Sequence, residues 1–133
     1  MLVYPVITAM TAGVIIILQM ILFMYAAIGR GKNRQGLGDG GKPDMLKRIR
    51  MHGNLIENAP IILIVMALLE GAGVARSVLI VAGAIFVLAR ILHPLGLMKS
   101  ANRTGFRFAG ATLTMLLGFA GGIYLVITAV GQL

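Results

Sequence analysis

The chain has 133 residues, 59% of them apolar and 12% charged, a balance well outside that of a water-soluble domain of this size. It contains no cysteine and two histidines, which excludes a disulfide framework, a thiolate zinc site, a cysteine nucleophile and an all-histidine metal cage. Twelve Lys and Arg against four Asp and Glu leave a net charge of +8, but there is no soluble basic domain to carry a nucleic-acid contact, so no nucleic-acid partner is expected.

Val3 to Ile28 carry no charged side chain, and at about 1.5 Å per residue this stretch exceeds the roughly 30 Å hydrocarbon core of a bilayer. It reads as a transmembrane helix over about 3–28. No basic segment precedes it, it is too long for the apolar part of a signal peptide, and no small-residue cleavage site closes it, so it is expected in the mature protein. From Gly29 to Pro43, glycines alternate with basic residues without any apolar period, which predicts a solvated connector.

Asp44 is placed to cap a second helix over about 44–70, which runs through Arg50 into the apolar stretch Ile61 to Leu69 and stops near Gly71, with a kink at Pro60. A third helix is predicted over about 75–93, ended by Pro94 and Gly96, and a fourth over about 105–130, without charge after Arg107. Four spans leave no room for a second domain. The expected fold class is therefore an all-α integral membrane protein, with residues 1–133 forming a single four-transmembrane-helix bundle.

Basic residues set the orientation. Arg30, Lys32, Arg34, Lys42, Lys47, Arg48 and Arg50 flank the first connection and Lys99, Arg103 and Arg107 the third, whereas the second has only Arg76. By the positive-inside rule the first and third connections face the cytoplasm and both termini the other side. A compact chain with no targeting tail fits a bacterial inner membrane with periplasmic termini.

Several polar residues fall at membrane depth. Arg50, Asn54 and Glu57 have the i, i+4, i+7 spacing of one helical face, and Glu57 lies roughly 10 Å inward of Arg50. An isolated carboxylate there is costly and needs a partner. The third helix runs in the opposite sense and returns Arg90 and His93 to the same level, where Arg107 opens the fourth. Three arginines around one glutamate leave spare positive charge, which suits an anionic, carboxylate-bearing ligand, because guanidinium presents a planar fork of donors and keeps its charge when partly buried. The structural alternative is that Arg50 and Arg107 snorkel to lipid phosphates while Arg90 pairs with Glu57; an Arg90–Glu57 ion pair is expected on either view. His93 is expected to hydrogen-bond at a helix end and His52 to meet a neighbouring helix. Gly118 and Gly122 form a G-x-x-x-G pair that would let backbones approach closely. Four short helices leave a shallow site, which favours completion of the pocket at a subunit boundary.

The stretch Arg50-Met-His52-Gly-Asn54-Leu-Ile-Glu57-Asn-Ala-Pro60 resembles the helix-two signature of the membrane-associated proteins in eicosanoid and glutathione metabolism, the MAPEG family, and Arg90-Ile-Leu-His93 resembles its helix-three motif. The likeness extends to the length, the four spans, the basic first loop and the arginine opening helix four. It implies a homotrimer with glutathione, the co-substrate, bound between subunits near the cytoplasmic face. Arg50, Asn54 and Glu57 would contact the tripeptide, Arg90 and His93 would share the polar site, and Arg30 would add a contact. Arg107 matches the arginine that faces the glutathione sulfur, and a nearby guanidinium lowers a thiol's pKa and raises its thiolate fraction; Arg107 is therefore the expected catalytic residue.

Three positions depart from the eicosanoid-forming members: Leu97 replaces a tyrosine one turn past His93, Gly53 stands where some carry arginine, and Phe108 replaces a serine after Arg107. These argue against prostaglandin or leukotriene synthesis and leave glutathione transferase or peroxidase activity on lipophilic small molecules drawn from the membrane lipid. The alternatives are a small four-helix transporter, disfavoured because helix one is uncharged and arginines surround Glu57, and a glutathione-binding membrane protein without turnover.

Overall fold

The computed structural model describes residues 4–100, 102 and 104–133; Val3, expected in the first span, and Arg103, counted on the third connection, lie outside them. Among the described residues there are four α-helices and no strand: α1 (Val6–Asn33), α2 (Pro43–Gly71), α3 (Arg76–Lys99) and α4 (Gly105–Val130). All four are long and apolar enough to cross a membrane. The chain is an all-α integral membrane protein. α3 with α4 and α1 with α2 make the most extensive contacts, α1 also touches α3, and α2 touches both α3 and α4.

A stripe along α2 builds the centre. Met51, Leu55, Ala59, Ile62 and Met66 recur at i+3 and i+4 and are buried against Ile15 and Leu22 of α1 and Phe86 and Leu97 of α3. α4 sits at the edge, with Gly110 and Thr114 its buried residues. The G-x-x-x-G pair does not join helices within the chain, since a Cβ added at Gly118 or Gly122 would meet nothing within 4 Å.

At the end of the bundle that holds the helix connection 72–75, Glu70 of α2 closes the start of α1. Its carboxylate accepts the backbone N–H groups of Ile7 (2.9 Å) and Thr8 (2.8 Å) and the Thr8 hydroxyl (2.8 Å). Pro5 precedes α1 without a side-chain cap, so an acid from the neighbouring helix satisfies the free amides and faces the positive end of the α1 dipole.

Three helix ends differ from the sequence expectation. α1 continues past Ile28 to Asn33, because Arg48 of α2 packs beside its last turns: the guanidinium lies 3.9 Å from the centre of the Tyr25 ring and Nη1 donates to the Tyr25 carbonyl at 3.1 Å. Lys42 takes the N-cap position of α2 without a side-chain cap, Pro43 follows in the first turn, and Asp44 lies inside the helix, where it accepts from Arg48 Nε at 2.9 Å. α3 does not stop at Pro94 but carries on to Lys99. Packing overrides the proline: a Cβ at Gly96 would collide with the backbone nitrogen of Arg107 and come within 2.6 Å of Thr104 Oγ1, and that hydroxyl donates to the Gly96 carbonyl at 3.1 Å. The start of α4 thus holds the last turn of α3 in helical form. α2 likewise passes through Pro60 as a helix.

Candidate functional site

Arg90 ties three helices together at the end opposite Glu70. Nη1 donates to Asn54 Oδ1 of α2 at 2.8 Å, and Nη2 donates to the Gly110 carbonyl of α4 at 3.2 Å and to the Thr114 hydroxyl. Thr114 in turn donates to the Gly110 carbonyl at 2.8 Å. Contact this close between α3 and α4 requires a residue without a side chain at 110, since a Cβ there would lie 2.6 Å from the Ala89 carbonyl oxygen and 2.8 Å from the His93 nitrogen. Arg90 is 2% exposed, and its Nε has no hydrogen-bond partner among the described residues. A buried guanidinium held by neutral oxygens at its two terminal nitrogens alone leaves its Nε donor and its charge unanswered.

The acid expected to answer it is engaged elsewhere. Glu57 pairs with Arg50 in a two-pronged contact, Nη1 to Oε1 at 3.1 Å and Nη2 to Oε2 at 3.3 Å, and the expected Arg90–Glu57 ion pair does not form. The reason is local: residues two turns apart on one helical face are within reach of a long arginine side chain, whereas Arg90 is turned toward Asn54 and α4. The Arg50 and Glu57 side chains are 53% and 51% exposed. Gly53, between them, leaves the pair open; its Cβ would stand 3.7 Å from Glu57 Oε1 and 3.8 Å from Arg50 Nη1.

The remaining candidates divide. His93 is buried beside Gly110, at the level of Arg90, and Arg107 is partly buried in the first turn of α4, its backbone against Gly96. Thr104 caps that turn by accepting the Arg107 N–H at 3.3 Å. Arg30 braces the first connection, donating to the Gly38 carbonyl at 3.0 Å, and no hydrogen bond or ion pair links it to Arg50, Asn54, Glu57 or Arg90. His52 meets α1, edge to face with Phe23 at 5.8 Å. Leu97 is buried in the core, and Phe108 is exposed. Sequence reasoning missed Gly110 and Thr114, whose signal is their i+3 and i+7 spacing from Arg107, and Glu70, a carboxylate in the last turn of the second predicted span.

Asn54, Arg90 and Thr114 meet at one end of three helices, with the Arg50–Glu57 pair open beside them on α2. The fold and this junction define a small four-span membrane protein with a basic polar site at one end of an otherwise apolar bundle. The chain belongs to the MAPEG family, which matches residues 8–127. It is also similar to the inner membrane protein YecN of Escherichia coli, from strain K12 and from an O6:H1 strain, at 31% identity over 67 residues in both cases. That match covers 50% of this chain and 51% of the relatives, so the aligned part spans about half their length.

Proposed function

We propose that this MAPEG member is a glutathione-binding protein of a bacterial inner membrane, with its basic end cytoplasmic, and that it acts as a glutathione transferase or peroxidase on lipophilic electrophiles. The observation that carries the proposal is the Arg50–Glu57 pair, half exposed on the flank of a membrane-spanning helix. Hydrocarbon is a poor medium for such a pair, so the face is best covered by a polar ligand together with a neighbouring subunit, as in a homotrimer. Glutathione offers complementary groups: carboxylates for Arg50 and an ammonium for Glu57. Arg90 and Asn54 act chiefly by holding the three helices in register beneath that surface, with His93 at the same level. Arg30 orders the basic connection through which the tripeptide enters.

Arg107 would face the thiol. Its guanidinium stabilises the thiolate, which attacks a carbon of the electrophile while the leaving group departs with the bonding electrons and the thiol proton passes to water. Binding the water-soluble nucleophile at the edge of the bilayer brings it to an apolar substrate, and proximity supplies much of the acceleration. Purified protein should conjugate glutathione to a chlorinated aromatic electrophile, and Arg107→Ala should lose turnover far more than glutathione affinity by calorimetry. Unchanged turnover in that variant contradicts the role of Arg107, and absence of glutathione binding by the wild type contradicts the proposal as a whole. Leu97, buried where eicosanoid-forming members place a tyrosine, favours a second reading, a binder without turnover; binding without conjugation in the same assays would establish it.

A further inference from the structure

Thr114 makes two different hydrogen bonds with one hydroxyl. It donates to the Gly110 carbonyl one turn back in α4, at 2.8 Å, and so turns its lone pairs to Arg90, from whose Nη2 it accepts. The same Nη2 donates to the Gly110 carbonyl at 3.2 Å. Two oxygens of α4, held together by the threonine, thus fix one arm of the guanidinium fork. Because the fork is planar and rigid, fixing that arm aims the other, Nη1, at α2.

What Nη1 meets there decides the polarity of Asn54. Arginine can only donate, so the amide must offer its oxygen, and Oδ1 accepts at 2.8 Å. An amide turned over would set donor against donor. Nδ2 is therefore left with two N–H donors and no hydrogen-bond partner among the described residues. Arg90 Nε is the fully buried side-chain atom among those residues that lacks a partner, so Asn54 Nδ2 is open rather than buried. Asn58 does not compete for the amide, since its own Nδ2 donates to the Asn54 backbone carbonyl at 2.8 Å. Asn54 shares a helical face with Arg50 and Glu57, at i, i+4 and i+7. A fixed N–H donor on the face of the Arg50 guanidinium complements a carboxylate, whereas an amide free to turn would offer donor and acceptor alike.

We infer that Thr114 is a positioning residue for ligand binding: with the Gly110 carbonyl it aims Arg90 at Asn54, and Arg90 fixes the Asn54 amide with Nδ2 outward as a donor to a ligand carboxylate. The inference rests on the proposed glutathione site and extends it to a residue of α4 that acts through α3. A double-variant cycle read by calorimetry with glutathione tests it. Asn54→Ala should weaken binding by about tenfold. Thr114→Val, which keeps the shape but loses the hydroxyl, should weaken binding by about fivefold in the wild type and have no further effect in Asn54→Ala. Thr114→Ser, which restores the hydroxyl, should bind within about twofold of the wild type. A merely structural threonine would weaken binding equally in both backgrounds, and that result, or wild-type affinity in Thr114→Val, overturns the inference. Unfolding of the same samples in mixed micelles separates its failure from that of the glutathione reading. If the wild type binds no glutathione, that reading fails; the fixed amide is then upheld where the stability losses of Thr114→Val and Asn54→Ala are less than additive, and overturned where they add.

Discussion

Glu70 and Thr8 are joined twice, since one carboxylate oxygen of Glu70 accepts both the backbone N–H and the hydroxyl of Thr8 at 2.8 Å. The contact docks the start of α1 on the end of α2 and replaces a cap that Pro5 does not supply. Hydrogen bonds to a charged acceptor contribute about 1.5–3 kcal/mol when truncation leaves donors unmet. Glu70→Ala should therefore lower stability by about 2 kcal/mol, Glu70→Gln by about half as much, and Thr8→Val by about 1 kcal/mol. Reversible unfolding in mixed micelles measures this, and equal midpoints for wild type and Glu70→Ala would sink the assignment. Glutathione affinity, if it resides at the other end of the bundle as proposed, should not change.

Arg90 leads to a less intuitive expectation. Its partners are neutral oxygens on two helices and Nε is unmet, so the fork geometry stabilises the junction while the buried charge opposes it. Lysine keeps the charge but cannot reach Asn54 and Gly110 together, and Arg90→Lys should cost about 2–3 kcal/mol. Arg90→Met removes charge and donors at once and should cost less, because replacing a buried charge by an apolar side chain of similar volume is often close to neutral. The same unfolding titration ranks the two, and the reverse order would show that an unseen anion compensates Arg90.

Gly110 and Gly118 lie on one helix but should respond oppositely to alanine. At Gly110 the new Cβ meets backbone atoms of Ala89 and His93, which cannot rotate away, whereas at Gly118 it meets nothing within 4 Å. Gly110→Ala should cost about 2 kcal/mol or more through overpacking, and Gly118→Ala should stay within about 0.5 kcal/mol of the wild type. Comparable losses at both sites, read from thermal unfolding, would mean that α4 does not pack as described.

These contrasts also show which parts were legible beforehand. Charge-free stretches and glycine boundaries revealed the four helices, because a membrane span must satisfy its backbone internally and exclude charge. Helix ends were less legible: nothing local says that Arg48 will hold α1 helical to Asn33, or that Gly96 and Thr104 will carry α3 through Pro94, since both effects come from contacts distant in sequence. The polar residues of α2 were visible by their spacing, but their pairing was not. Arg50 and Glu57 satisfy each other along one helix, and Arg90 turns to Asn54 and to a threonine and a carbonyl of α4 that no charge pattern marks.

The Arg50–Glu57 pair separates structural from ligand-binding roles by a charge exchange. Both side chains are about half exposed, and ion pairs so placed contribute at most about 1 kcal/mol, so Arg50→Gln and Glu57→Gln should each leave chain stability nearly unchanged. If the pair faces glutathione, each should weaken binding by about tenfold, the loss of one charge-assisted contact worth about 1.4 kcal/mol. In the exchanged double variant Arg50→Glu/Glu57→Arg, the ion pair can form again with its ends reversed, restoring whatever stability the pair gives the chain. A ligand presents carboxylate and ammonium in a fixed order, so binding should stay as weak as in the single variants or weaker. Calorimetry with glutathione, run beside unfolding of the same samples, tests both halves: recovery of affinity together with stability would show that the pair supports the fold alone.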